Sequence, residues 1–315
     1  MAQPTHSQLQ VVDPVLSNLL VGYMQADTRF VADKVFPLVQ VPLQGFTYYN
    51  FTKKYWFLDE MKARAPGTDF ARGGFGVSSS TGSANIWGLE YMIPVEAENN
   101  NQTGVTLQQT GLKWLAQQSL IRRERAFAAD FMVTGVWGTD DNNSTTDWDD
   151  FSAGDPFNDV LTAKRTISNA TGVDPNTMTL GYIVDVALQN HPDIIDRIKH
   201  VQVAGLGNVR NALQSLFDIE RYLVGKATYN SANEGQAATM AAVIDDDCLL
   251  CYCTMTPGIF EPSCGFTFAW TGGGGGGSIR TYLEDKTKSD VLQNSEAWDQ
   301  KVVASDVGYF FADVV

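Results

Sequence analysis

Residues 106–133 read "TLQQTGLKWLAQQSLIRRERAFAADFMV", and this stretch predicts an unusually long helix. Apolar residues recur in it at the three- and four-residue spacing of one helix face. At 1.5 Å per residue such a helix spans about 40 Å, which is long for a globular domain. The charged run "RRER" at 122–125 has two open interpretations, a solvated helix face or a contact with another subunit. The predicted apolar stripe consists of Leu112, Leu115, Ala116, Leu120, Phe127 and Phe131.

The segments before this helix predict an arm and a long hairpin. Residues 1–45 contain Pro37 and Pro42 among β-branched residues, a pattern typical of an extended arm that lies across a surface. Two strand-like runs follow, at 46–57 and 85–96, with 27 residues rich in charge, glycine and serine between them. Compact domains rarely contain a loop of that length without a function. We therefore predict a two-stranded excursion that needs a partner, because an isolated hairpin is marginally stable. In the second run, one strand face is predicted to carry Trp87, Leu89, Tyr91 and Ile93.

The segments after the long helix mix helical and strand patterns, which predicts α+β architecture. Asp155 and Pro156 have the pattern of a helix N-cap and first turn, in a helix that runs towards Gly172. The aspartate-rich segment 139–159 lacks the residue order of a calcium-binding loop and predicts a solvated loop, with an ion site as the alternative. The chain ends in strand-like, apolar residues, which predict a docked C-terminus.

Six consecutive glycines follow "WT" and precede the strand-like "SIRTY". The run is not a Walker phosphate-binding loop, because no Gly-Lys-Ser/Thr follows it. It is not a dinucleotide-binding turn either, because the residues after it read as a strand and not as a helix. We predict a hinge that lets two domains join at several angles, since glycine adopts conformations that other residues rarely do. A passive surface loop and close backbone packing remain as alternatives. The predicted hinge residues are Gly272, Gly273, Gly274, Gly275, Gly276 and Gly277.

The composition indicates a folded, acidic protein. Of the 315 residues 44% are hydrophobic, and the formal net charge is −14. That charge argues against wrapping nucleic acid by phosphate neutralisation, which needs clustered Lys and Arg. No apolar run reaches the roughly 20 residues of a membrane helix, and the first residues do not read as a secretory signal. The first quarter of the chain is nearly neutral, and its hairpin tip contains three basic residues that we predict to contact a neighbouring subunit: Lys62, Arg64 and Arg72.

No group of residues predicts catalysis, a cofactor or a metal ion, so we predict that the protein is not an enzyme. The four cysteines lack the paired spacing of a zinc site, and we interpret them as buried small residues that form no disulfides in a reducing cytoplasm. The three histidines lack zinc-helix spacing, and we interpret His191 and His200 as structural. The cysteines are Cys248, Cys251, Cys253 and Cys264, and the remaining histidine is His6.

The order of these patterns resembles the major capsid proteins of tailed bacteriophages, whose fold is named for phage Hong Kong 97. The runs "FVADKVFPLVQV", "YYNFTKKYWF" and "RAPGT" resemble the N-terminal arm and extended loop of one large branch of that family. "DPFNDVLTAKRTISNATGVDPNTMTLGYIV" and "LQNHPDIIDRIK" resemble its peripheral-to-axial passage, and "FAW", "IRTY" and "VVASDVGYFFADVV" its closing segment. The Lys and Asn of the covalently crosslinked type are not identified, so crosslinking is not inferred.

The resemblance implies an organisation in four parts. The implied parts are an arm at 1–45, an extended β-hairpin loop at 46–96, a peripheral domain at 97–175 and 271–315 with its spine helix at about 106–133, and an axial domain at 176–270.

The resemblance also implies the function of a structural protein. Hexamers and pentamers of identical copies would close the icosahedral head of a phage around double-stranded DNA, without sequence-specific binding and without a membrane partner. The expected location is the virion, after assembly in the host cytoplasm, with scaffold, portal and decoration proteins, where used, as separate chains. Two alternatives stay open: an encapsulin-like compartment shell that encloses cargo enzyme, and a carboxylate-dependent hydrolase.

Overall fold

The computed structural model describes residues 25–51, 57–100, 107–142, 147–199, 209–256, 263–274 and 277–315. Helices and strands mix along these ranges, which confirms the predicted α+β class. The first 24 residues of the predicted arm lie outside the described residues, and so do His200, Gly275 and Gly276. The helices are α1 (Ala32–Val35), α2 (Val95–Asn99), α3 (Leu107–Phe131), α4 (Pro156–Thr171), α5 (Tyr182–Asn190), α6 (Pro192–Ile198) and α7 (Val209–Leu216).

The strands form two five-stranded sheets and two two-stranded ones within the described residues. They are β1 (Leu38–Val41), β2 (Gly45–Phe51), β3 (Val77–Ser83), β4 (Asn85–Pro94), β5 (Thr139–Asn142), β6 (Thr177–Gly181), β7 (Arg221–Gly225), β8 (Thr228–Asn230), β9 (Met240–Ala242), β10 (Cys248–Cys251), β11 (Gly265–Trp270), β12 (Ser278–Glu284), β13 (Ser289–Val302) and β14 (Gly308–Ala312).

The long helix α3 lies against the first sheet and agrees with the predicted helix at 106–133. The central strand of this sheet is β13, which pairs antiparallel with β4, β11 and β12, while β1 runs parallel to β11. Leu115 of the helix packs with Ile93 and Leu292 of the sheet in one buried cluster. The apolar stripe read from the sequence therefore faces the sheet at Leu115, and Phe127 and Phe131 are buried nearer the helix end.

The second sheet has the strand order β5-β14-β10-β6-β7. Helix α4 packs against it and has the predicted ends, because an Asp155 carboxylate oxygen accepts a hydrogen bond from Asn158 N at 3.1 Å and Gly172 ends the helix at φ 68°. Val314 is fully buried, which confirms the docked C-terminus. The sheet joins β14 to strands from 176–270, so it combines segments of both predicted domains, and the domain boundaries stay a prediction.

The hairpin has a different second strand from the predicted one. β2 pairs with β3, so its partner is "VSSSTGS" at 77–83. The run at 85–96 instead forms β4, which pairs with β13 along its whole length. The serine-rich β3 has no apolar alternation, and the sequence pattern therefore did not identify it as a strand. Phe46 anchors the hairpin base to the first sheet, with its ring 4.4 Å from that of Phe268.

Residues 30–37 of the predicted arm are mostly packed into the body, whereas 26–29 are exposed. Phe36 is buried, and its ring lies 5.2 Å from that of Phe127 and 4.7 Å from that of Phe131 on α3. β1 adds a parallel strand to β11, from Leu38 to Val41. This part of the chain is thus a component of the core and does not depend on another surface for its cover.

Candidate intersubunit surface

The loop between β2 and β3 is exposed at every described residue from 57 to 76. Large apolar side chains are among these residues, and Met61 and Phe70 are 93% and 73% exposed. A group of exposed apolar side chains on one segment marks a surface that another molecule covers. The exposed apolar residues of the loop are Phe57, Leu58, Met61, Phe70 and Phe75.

The three basic residues predicted to contact a neighbouring subunit all lie in this exposed loop. The guanidinium of Arg64 stacks on the ring of Phe70, with its carbon 4.3 Å from the ring centroid. Among the described residues, neither Lys62 nor Arg72 has an ion-pair partner. The loop also contains Asp59, Glu60 and Asp69, so it has no net charge in a chain that carries −14.

Exposed apolar side chains also lie on the two outer strands β4 and β12, which flank β13 on opposite sides. In the described part of the chain each of these strands pairs only with β13, so each has an open edge. Ile86 and Met92 are exposed on β4, and Ile279 and Leu283 are exposed on β12. An open edge with apolar side chains is a site where another chain pairs with or covers the sheet.

An ionic cluster, buried at Arg123 and Glu296 and exposed at Asp33, joins three distant segments of the chain. Arg123 on α3 donates from Nη1 to Asp33 Oδ2 at 2.9 Å and from Nη2 to Glu296 Oε2 at 3.1 Å. Ser119 and Trp298 also donate to the Glu296 carboxylate. Since Asp33 belongs to α1 and Glu296 to β13, Arg123 ties the N-terminal segment and the first sheet to the long helix.

The adjacent Glu124 holds the start of α1. Its carboxylate accepts hydrogen bonds from Val31 N at 3.0 Å and from Ala32 N at 2.8 Å, which satisfies backbone donors at the first turn of that short helix. Burial raises the pKa of Glu124 to about 7, against the lowering effect of these backbone hydrogen bonds.

The "RRER" run divides into two buried and two exposed residues, and the buried pair fits neither predicted interpretation. Its middle residues, Arg123 and Glu124, are buried and bonded inside the chain. The outer two stack on aromatic rings, Arg122 on Trp87 and Arg125 on Tyr229. The partners of the buried pair lie about 90 and 173 residues away, and nothing in the local pattern indicates them.

The glycine run lies between β11 and β12, two strands that border the same edge of β13. β4 occupies one edge of β13, so β11 and β12 both lie along the other edge. Ala269, near the end of β11, pairs with Trp298, and Ser278, at the start of β12, pairs with Ser295. The first and third of these residues are nine positions apart in the sequence, whereas their two partners on β13 are only three positions apart. Six residues are therefore looped out between the two strands, which is the length of the glycine run.

The described glycines of this loop are tightly packed. A Cβ on Gly273 would lie 2.5 Å from the Trp270 ring and 2.6 Å from the Ala297 Cβ. Gly274 has φ 101°, a conformation that favours glycine, and a Cβ there would lie 2.7 Å from Ser295 O. These contacts favour the close-packing alternative over the hinge, and the hinge role stays a prediction.

The residues considered for other chemistry are mostly buried. All four cysteines are free and buried, as interpreted from the sequence, and His191 is fully buried. In the described ranges, His, Cys, Asp and Glu form no group of three that could hold a metal ion. A search of the same ranges finds no helix with the length and apolar character of a membrane span.

Two curated major capsid proteins are similar to this chain over nearly its whole length. The protein of Burkholderia phage BcepMu is 26% identical over 319 residues, covering 98% of each chain. That of Pseudomonas phage JBD67 is 25% identical, covering 96% of this chain and 97% of the phage protein. No protein-family model matches.

Solved structures share the fold. A phage-related protein from Bordetella bronchiseptica RB50 superimposes with a TM-score of 0.71 at 24% identity, covering 96% of this chain and 98% of that one. The mature capsid of bacteriophage PhiM1 gives a TM-score of 0.56 at 10% identity, covering 92% and 88%. The chain is thus similar in sequence to phage major capsid proteins over nearly its whole length, and it has the Hong Kong 97-type capsid fold.

Proposed function

We propose that copies of this chain form hexamers and pentamers that close the icosahedral head of a tailed phage around double-stranded DNA. The observation that carries this proposal is the loop 57–76, in which five large apolar side chains are each at least half exposed to solvent. A neighbouring copy supplies their cover, and its repetition around a closed shell stabilises every subunit contact.

The charge distribution supports the same arrangement. A loop without net charge approaches an acidic neighbour without the repulsion that two acidic surfaces would have. The body carries most of the −14 charge, and an acidic wall lets packaged DNA move along it because phosphates find few cations to bind.

The proposal is tested by assembly of the purified full-length chain. Sedimentation and electron microscopy are expected to show capsomers and closed shells, and particles recovered from infected cells are expected to contain nucleic acid. A folded protein that stays monomeric at high concentration contradicts the proposal. Particles filled with protein and free of nucleic acid would instead identify a compartment shell.

Trypsin reports separately on the loop. Lys62, Arg64 and Arg72 are exposed cleavage sites in the isolated chain, and a covering neighbour blocks access to them in the shell. Cleavage at these sites is expected to be fast in unassembled protein, slow in shells, and fast again after disassembly. Equal cleavage rates before and after assembly would place the loop on an open surface.

A further inference from the structure

We propose that Cys253 and Cys264 are a latent disulfide pair that oxidises once the protein leaves the reducing cell. The two thiols meet at a single backbone oxygen. Cys253 Sγ donates to Val35 O at 2.6 Å, and Cys264 Sγ lies 3.7 Å from the same atom. Both sulfur atoms are buried beneath the N-terminal segment, where that segment enters β1.

Two hydrogen bonds join the chain segments around the pair. Cys264 N donates to Tyr252 O at 2.8 Å, and Thr254 N donates to the Ser263 hydroxyl at 3.4 Å. These bonds hold close together two segments that a disulfide could link, since disulfides join residues whose Cα atoms are about 4.4–6.8 Å apart. Both cysteines lie outside the strands, Cys253 after β10 and Cys264 before β11, so rotation of the two thiols towards each other breaks no strand pairing.

Position distinguishes Cys253 from the other two cysteines. The Cys251 thiol also contacts the Cys264 thiol and raises its pKa. Cys251, however, lies inside β10, where its backbone is paired with Gly308 of β14 on one side and Thr177 of β6 on the other. Cys253 lies beyond the end of that strand, two residues before the exposed Met255. Cys248 packs in the other large core cluster, away from the remaining three thiols.

The chemistry needs an external two-electron oxidant, such as a low-molecular-weight disulfide or an azo compound. With a disulfide as oxidant, one cysteine thiolate attacks it, forms a mixed disulfide and releases the first small thiol. The second cysteine thiolate then attacks the mixed disulfide and releases the second small thiol. Two protons and two electrons leave the protein in total. The neighbouring Cys264 thiol and burial raise the pKa of Cys253, and burial raises the pKa of Cys264. Thiolate is therefore scarce at neutral pH, which keeps the pair reduced during assembly and makes later oxidation slow.

The test treats the folded, unassembled full-length chain with the azo oxidant diamide, then alkylates the remaining thiols in denaturant. We expect two of the four thiols to be lost, with the chain remaining monomeric on a non-reducing gel. Chymotrypsin cleaves after Tyr252 and Phe260 and so separates Cys251, Cys253 and Cys264 onto different peptides. Mass spectrometry is expected to find the peptides of Cys253 and Cys264 linked, and the oxidised protein is expected to unfold at a higher temperature.

Matched variants complete the test. Cys253→Ser keeps a donor for Val35 O and is expected to retain three alkylatable thiols after oxidation, without an intrachain link. Cys248→Ser is the control and is expected to oxidise as the parent does. Four alkylatable thiols after prolonged oxidation of the parent chain, or a link that involves Cys251, overturns the proposal. Only the time at which the disulfide forms, after release from the cell, rests on the proposed function. Because the assay uses unassembled protein, the absence of a disulfide would not count against that function.

Discussion

At the scale of single residues, the buried charges on the long helix control how three segments meet. Replacing Arg123 by Ala leaves the buried Glu296 carboxylate without its cation. Removing one partner of a buried pair destabilises a protein by about 3–5 kcal/mol, because the other charge stays buried. We therefore expect Arg123→Ala to lower the free energy of unfolding, measured by urea denaturation, by about that amount.

The adjacent Arg122 provides the control for this substitution. Its guanidinium carbon lies 4.1 Å from the centroid of the Trp87 ring. Arg122 is exposed, and such contacts at exposed sites contribute about 0.5–1 kcal/mol. Arg122→Ala is expected to have the smaller effect. Equal losses from the two substitutions would show that the ionic cluster has no special role.

Glu124 makes stability depend on pH. Its pKa is raised to about 7 in the folded chain, compared with about 4.3 in an unfolded one. The folded state thus binds more protons between these values, and stability falls as pH rises through about 5 to 7. The ionised, buried carboxylate is the less stable form. Asp33 and Lys34, which face it, raise and lower this pKa, respectively.

Glu124→Gln is expected to remove this component of the pH dependence. The variant keeps an oxygen that accepts from Val31 N and Ala32 N, but it has no proton to lose. Urea denaturation at pH 5 and pH 8 measures how much the free energy of unfolding of each protein falls between the two pH values. The raised pKa of Glu124 corresponds to a fall of up to about 3 kcal/mol in the parent chain. An identical decline in both proteins would assign the titration to another group, such as Asp247, whose pKa burial raises to about 6.

At the scale of secondary-structure elements, the glycine loop decides how β11 and β12 lie along β13. Gly273→Ala places a methyl group within 2.6 Å of the Ala297 Cβ, and overpacking of this kind costs about 1–3 kcal/mol. On the packing interpretation, the melting temperature of the unassembled chain falls. On the hinge interpretation, the variant folds normally and builds shells of altered size. Gly45→Ala is the control, because a Cβ there has no neighbour within 4 Å.

At the scale of the whole molecule, the exposed loop links the fold to assembly. Reversal of its three cations, by Lys62→Glu, Arg64→Glu and Arg72→Glu, is expected to reduce the yield of shells and leave circular dichroism of the subunit unchanged. Charges at the rim of an interface govern association more than folding. Each exposed pair contributes only about 0.2–1 kcal/mol, but every copy in the shell repeats the loss.

A second triple variant separates this effect from overall charge. Lys113→Glu, Arg165→Glu and Lys286→Glu change the net charge by the same amount at exposed positions outside the loop. Shell yield, measured by sedimentation, is expected to fall more for the loop variant. Equal yields from the two variants would mean that net charge alone limits assembly.

The sequence by itself determined the elements whose signals are local. The 3.6-residue periodicity placed α3, and Asp155 and Gly172 placed the ends of α4, because caps and helix faces depend on residues a few positions apart. The order of motifs along the chain was sufficient for the resemblance to phage capsid proteins, since that order is a property of the sequence and not of any contact.

Only the tertiary structure decided which distant segments meet. Strand pairing depends on register and on burial of a whole face, so the serine-rich β3 could be recognised only from its contact with β2. The role of Arg123 also could not be read from the sequence, because its carboxylate partners lie 90 and 173 residues away. The packing of the glycine loop likewise depends on tertiary structure, because its close contacts come from Trp270 and β13. A charge run or a glycine run has the same local pattern in solvent and in a core, and the energy that separates the two states comes from neighbours brought there by folding.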